Sequence, residues 1–123
     1  IINFGKINDD QKLRLLYCAS DICIVPSRQE SFCQVALEAQ SCGIPVLAFS
    51  VGGLKDIIDH NNTGYLIKPF DTNSLAFHLD KFLTNIKKNL QMKINSRKRV
   101  ENLFSMSSVA KQYVNVYKKI LKI

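Results

Sequence analysis

The sequence predicts a doubly wound α/β fold around a parallel sheet, and three observations carry that prediction. Short continuous apolar runs alternate with segments of helical period. The runs from Ile22 onward close on Pro or Gly, as buried parallel strands do where they enter a loop. After Pro69 neither Gly nor Pro occurs, so the remainder reads as uninterrupted helix. The predicted order is βαβαβαβ followed by three further helices, which wrap back over the sheet.

Each element has its own signal. Ile1 to Phe4 reads as a short strand. Asn8, with Gln11 three residues later, suits the cap of a helix running to about Ala19, with Leu13, Leu16 and Tyr17 on its inner face. Ile22 to Val25 is an apolar run closed by Pro26-Ser27. Phe32, Val35, Ala36 and Ala39 then recur at helical spacing, and Gly43 with Ile44-Pro45 ends that helix. Val46 to Phe49 is the next strand, stopped by Gly52-Gly53. Leu54 to Asp59 suits a short helix, His60 to Gly64 a turn, and Tyr65 to Ile67 a last strand before Pro69. Three helices follow, over about Ser74 to Leu83, Ile86 to Leu103 and Ser107 to Leu121. The last carries Val109, Tyr113, Val116, Tyr117 and Ile120 on one face.

With 123 residues and 46% hydrophobic content, the chain has material for one domain with one core and not for two domains around a cleft. Ile1 stands where an initiator Met would, which predicts a partial domain, 1–123, cut from a longer protein. No apolar stretch reaches membrane-spanning length. Cys18, Cys23, Cys33 and Cys42 lack metal-ligand spacing and read as buried reduced thiols, which points to the cytoplasm.

Net charge is +7, but residues 1–80 hold 6 Lys+Arg against 9 Asp+Glu, whereas residues 81–123 hold 11 against 1. A basic tail suits solvated helices or an anionic membrane surface. It does not suit nucleic acid, because Tyr113 and Tyr117 fall on the apolar helix face and are not interleaved with the cations for base stacking.

The chemistry concentrates in Pro26 to Ala39. A helix starting near Ser31 or Phe32, directly after a buried strand, offers unpaired N–H groups and a positive dipole end to an anion such as a pyrophosphate. Glu38 is expected about 12 Å along the axis from Glu30 at the usual helical rise, too far to share a proton or a metal. That separation suits a ligand with a negative middle and hydroxylated ends: a sugar toward Glu30 and a ribose toward Glu38. On the residues alone, Glu30 as a helix-start acid and Glu38 as a solvent-facing residue is the alternative. His60 and His78 have no base–nucleophile partner and read as surface or packing residues.

The spacing Glu30-x7-Glu38, preceded by Val25-Pro26-Ser27 and followed by Ala39-x-x-Cys42-Gly43-x-Pro45-Val46 and Gly52-Gly53, resembles the donor-site signature of family 4 retaining glycosyltransferases of GT-B fold. The similarity continues through Asp56 to His60, Thr63 to Leu66 and Lys68 to Asp71, a stretch resembling members that assemble bacterial capsule and lipopolysaccharide. It reaches Phe104-Ser105 to Tyr117 in the tail.

The resemblance implies the Rossmann-like C-terminal half of a GT-B fold with extra C-terminal helices. It implies a nucleotide-diphosphate sugar as donor and a glycan or lipid-linked acceptor; the basic tail then suits peripheral contact with the anionic inner membrane face, where a lipid-linked acceptor is presented, for a chain the cysteines place in the cytoplasm. Glu30 matches the acid in the catalytic centre that contacts donor-sugar hydroxyls, positioning the sugar and not acting as nucleophile. Phe32, Cys33, Gln34 and Val35 match the turn whose N–H groups meet sugar and pyrophosphate, and Glu38 matches the ribose ligand.

Cys33 departs from the family's usual Gly, and the expectation is that this small residue keeps the turn in ordinary helical dihedrals. The pyrophosphate-neutralising Arg and Lys of such enzymes precede Ile1, and the acceptor domain lies outside the chain. Arg28 and Lys68 are the nearest basic residues. No Asp-x-Asp motif occurs, so neither metal nor cofactor is expected, and leaving-group charge falls to the helix start and basic side chains. A nucleotide-sugar epimerase or a phosphorylase of the same architecture, or a binding module without transferase activity, are the competing readings.

Overall fold

The computed structural model describes residues 1–122, apart from the side chain of Ile86. Helix α1 (Asp10–Cys18) leads into β1 (Cys23–Val25), followed by α2 (Gln34–Ser41), β2 (Val46–Phe49), α3 (Leu54–Ile57) and β3 (Gly64–Ile67). Three helices complete the order: α4 (Thr72–Thr84), α5 (Ile86–Leu103) and α6 (Met106–Leu121). The strands form one parallel sheet in the order β1-β2-β3, with Cys23 opposite Val46 and Val46 opposite Gly64.

All four residues of β2 are buried, because helices cover both faces of the sheet. Val46 and Ala48 join Val25, Ala36, Ala39, Leu54 and Ile57 beneath α2 and α3. Leu47 and Phe49 point the other way and meet Tyr65, Ile67, Phe82 and Met92 under α4 and α5. That two-faced alternation is the doubly wound arrangement the sequence predicted.

A buried polar joint locks α2 to the rest. Gln40 Nε2 donates to the Thr63 carbonyl and Oγ1 (3.3 and 3.0 Å), and Ser96 Oγ on α5 donates to the same carbonyl (3.1 Å). Removing one member would leave buried groups unpaired, which costs more than the bond itself contributes. Part of the basic tail is also structural. Arg99 donates to the carbonyls of Ile57 and Asp56 (2.8 and 2.7 Å) at the end of α3, and Lys93 pairs with Asp21 at 3.2 Å.

Several expectations are corrected. Ile1 to Phe4 forms no strand: Ile1, Ile2 and Phe4 are exposed, and an apolar run without a pairing neighbour has no ladder to join. The cap of α1 is Asp9, not Asn8, its carboxylate accepting from the N–H groups of Gln11 and Lys12 (2.9 and 3.2 Å). The apolar face of α6 stays open, with Tyr113, Val116, Tyr117 and Ile120 exposed, so α5 wraps back over the fold and α6 does not cover the sheet. Cys33 is buried, but Cys18 is exposed and Cys23 and Cys42 are only half-buried. All four are free thiols, and burial pushes Cys23 up to about 11, well away from a reactive thiolate.

Candidate functional site

The C-terminal ends of β1 and β2 and the start of α2 meet at one rim. Sheet topology dictates this: parallel strands deliver their loops to the same edge, and α2 begins where the loop after β1 ends. The helix starts later than expected, at Gln34, because Cys33 sits in the left-handed region (φ 72°, ψ 78°). The expectation of ordinary helical dihedrals at Cys33 is therefore wrong. A helical rise does not apply between the two acids, since Glu30 lies on the irregular loop and only Glu38 is on the helix. Side chains with a Cβ seldom adopt a positive φ, and Gly would carry this one without strain.

The first backbone bond of α2 runs from the Leu37 N–H to the Cys33 carbonyl (3.3 Å). The N–H groups of Gln34, Val35 and Ala36 therefore have no carbonyl one turn back and form the positive end of the helix; those of Val35 and Ala36 meet the Cys33 thiol, and Ala36 is fully buried. Cys33 itself is turned into the core beneath α2. Burial pushes its thiol above the usual range; the Ala36 N–H works against that, and the Glu30 carboxylate adds to it. Gln34 and Val35 stay exposed, and Phe32 is braced edge-on by Phe104 at the end of α5, ring centroids 6.1 Å apart.

Glu30 is held by its loop. Ser27 Oγ donates to Glu30 Oε1 at 3.3 Å, and the Gly53 N–H donates to the Ser31 carbonyl at 3.1 Å. Gly52 and Gly53 are a requirement of close approach more than of the turn. A Cβ on Gly52 (φ +47°) would stand 1.6 Å from the Glu30 carbonyl oxygen, and one on Gly53 2.5 Å from that of Ser31. Glu30, Arg28 and Gly52 line an open cleft of about 600 Å³. Arg28 is held with its guanidinium 5.7 Å from the exposed Phe70 ring, a contact sequence reasoning missed, and Lys68 is exposed.

Glu38 lines a different hollow, of about 580 Å³, between α1 and α2 with Arg14, Tyr17 and Arg97. Tyr17 OH donates to Glu38 Oε2 at 3.1 Å, another contact the sequence did not reveal. The two acids thus line separate hollows, Glu30 on the loop before α2 and Glu38 beside Ser41, Cys42 and Gly43 toward the far end of that helix. Away from this rim, exposed His60 accepts at Nδ1 from the Leu66 N–H (3.0 Å) and His78 is bonded to the Ser74 carbonyl. Among the described residues no cluster of His, Cys, Asp and Glu could hold a metal ion.

The start of α2, at the strand ends of a parallel sheet and following the loop that carries Glu30, is the candidate site. The family model for glycosyl transferases group 1 matches residues 1–99. The chain belongs to this family. Among relatives of this group 1 chain is an uncharacterized glycosyltransferase of Methanocaldococcus jannaschii, 37% identical over 118 residues, covering 96% of this chain and 30% of that protein.

Sucrose-phosphate synthase from Thermosynechococcus elongatus superposes with a TM-score of 0.83 at 36% identity, over 96% of this chain and 29% of that one. Anabaena HepE, solved in complex with UDP-glucose, superposes with a TM-score of 0.75 at 25% identity, over 85% and 29%. The chain spans under a third of each of these three relatives, and its fold matches the corresponding part of GT-B glycosyltransferases. Among the described residues no helix is long and apolar enough to cross a membrane.

Proposed function

We propose that the protein containing this chain is a family 4 retaining glycosyltransferase, and that the chain binds its nucleotide-diphosphate sugar. The carrying observation is the N-terminal turn of α2 between Glu30 and Glu38. In this reading the diphosphate meets N–H groups of the turn from Phe32 to Val35. Glu30 accepts from hydroxyls of the sugar, the turn from Phe32 to Val35 follows the donor's length, and Glu38 accepts from the ribose. Fixed dipoles aimed at the leaving phosphate cost no reorganisation during transfer, so leaving-group charge is stabilised without a metal. HepE, which binds UDP-glucose and shares this fold, supports the donor class.

The acceptor in this reading is a growing polysaccharide, lipopolysaccharide or lipid-linked glycan in the cytoplasm. The excess of cations in residues 81–123 supports peripheral contact with the anionic inner membrane face. The chain by itself binds donor but does not transfer sugar, since it spans under a third of its relatives.

Calorimetry with UDP, GDP and ADP on the full-length protein tests the assignment. One of them should bind, and Glu38→Ala should weaken that binding about tenfold or more, the loss of hydrogen bonds to a charged acceptor. No binding by wild type, or equal binding by the variant, would sink the donor-site reading. Donor binding without release of nucleoside diphosphate in any sugar screen would make the protein a binding module.

A further inference from the structure

We propose that Tyr17 is a positioning residue of the nucleoside subsite, its phenol fixing one oxygen of Glu38 so that the other faces the ribose hydroxyls. This rests on the reading of Glu38 as ribose ligand given above.

Tyr17 lies in the last turn of α1 and Glu38 in the second turn of α2, 21 residues apart in sequence. The phenol reaches across the hollow between the two helices and donates to Glu38 Oε2 at 3.1 Å. The ring is half-buried and packs against the core beneath α2 and α3. Both ends of the contact are therefore set by packed elements.

A carboxylate has two oxygens with about four acceptor positions. The phenol uses one position on Oε2, and no donor among the described residues reaches Oε1. None of the ion pairs among the described residues involves Glu38, so no cation competes for it. Burial first, and the bond to Glu38 next, push the phenol's ionisation above its ordinary value, so Tyr17 keeps its proton and remains a donor.

A half-exposed Glu samples several rotamers, and ordering it on binding works against affinity. The phenol removes part of that cost in advance, which is preorganisation. Glu30 is held differently: Ser27 donates to Oε1, and the Cys33 thiol also lies against the carboxylate.

The test compares a nucleoside diphosphate with its 2′-deoxy counterpart by calorimetry on the full-length protein, using whichever of UDP, GDP and ADP the wild type binds. Wild type should favour the ribonucleotide about tenfold. Tyr17→Phe keeps the packed ring and removes only the hydroxyl. It should weaken ribonucleotide binding roughly three- to tenfold, leave the deoxy form within about twofold, and barely move the melting temperature. In a Glu38→Ala background the same change should do nothing more, the signature of two groups acting as a unit.

If Tyr17→Phe keeps the wild-type preference while Glu38→Ala loses it, Tyr17 is structural only and the inference falls. If Glu38→Ala also keeps the preference, or if none of the three diphosphates binds, the reading of Glu38 falls and takes this inference with it.

Discussion

Glu30 and Glu38 bracket the start of α2, yet they are held by opposite means. Glu30 sits on irregular backbone clamped by a second loop, with Gly53 bonded to Ser31 and no room for a Cβ at Gly52. Glu38 sits on a regular helix locked to its neighbours through Gln40, and one side chain from another helix aims it. A loop acid depends on main-chain fit, where small changes displace it wholesale. A helical acid keeps its place when its helper is lost, and gives up only its orientation.

Gly52→Ala should break the first arrangement most severely. With the new Cβ 1.6 Å from the Glu30 carbonyl oxygen, one loop must move, and a loss of about 2–4 kcal/mol is expected in denaturant unfolding. Gly5→Ala is the control: Gly5 also has a positive φ (+63°) but nothing within 4 Å, so about 1 kcal/mol is expected. Equal losses at the two positions would mean that backbone strain, not close approach, explains Gly52. The clamp reading also requires Gly52→Ala to retain nucleoside diphosphate binding through Glu38 while losing the added affinity contributed by the sugar.

Cys33 comes next. A β-branched side chain fits the left-handed region poorly, so Cys33→Val should cost about 1–3 kcal/mol. Cys33→Gly relieves strain but loses a buried side chain and loosens the unfolded chain, so its thermal midpoint should shift little, by less than about 1 kcal/mol equivalent. A Val variant as stable as wild type would argue that Cys33 is not left-handed in solution.

The smallest effect is expected at Ser27. Its hydroxyl touches only one Glu30 oxygen, at 3.3 Å, so Ser27→Ala should change stability by less than about 1 kcal/mol. Donor-sugar affinity should fall about two- to fivefold, with nucleoside diphosphate affinity unchanged. A larger loss for the bare diphosphate than for the sugar donor would separate Ser27 from Glu30.

Most of the fold was legible because its signals are local. Val46 to Phe49 is a continuous apolar run and Ile86 to Leu103 an unbroken helical pattern, and both occupy the predicted residues. Ile1 to Phe4 failed because a strand is a property of pairs, and apolar residues alone do not name a partner. In the site, a helix between Glu30 and Glu38 was visible from the spacing of Val35, Ala36 and Ala39. The conformation of Cys33 was not, because a non-glycine residue rarely announces a positive φ; the usual Gly of the resembling family was the available signal. The Tyr17–Glu38 and Arg28–Phe70 contacts join elements far apart in sequence, and only the assembled helices and loops bring them together.

The contact between Gly52 and the Glu30 carbonyl also constrains anyone who would redesign this rim. The stretch from Ser27 to Cys33 and the Gly52-Gly53 pair form a single transferable part. A loop library or a graft from a relative with different donor preference must exchange both together, because replacing one leaves it pressed against a surface shaped for its former partner.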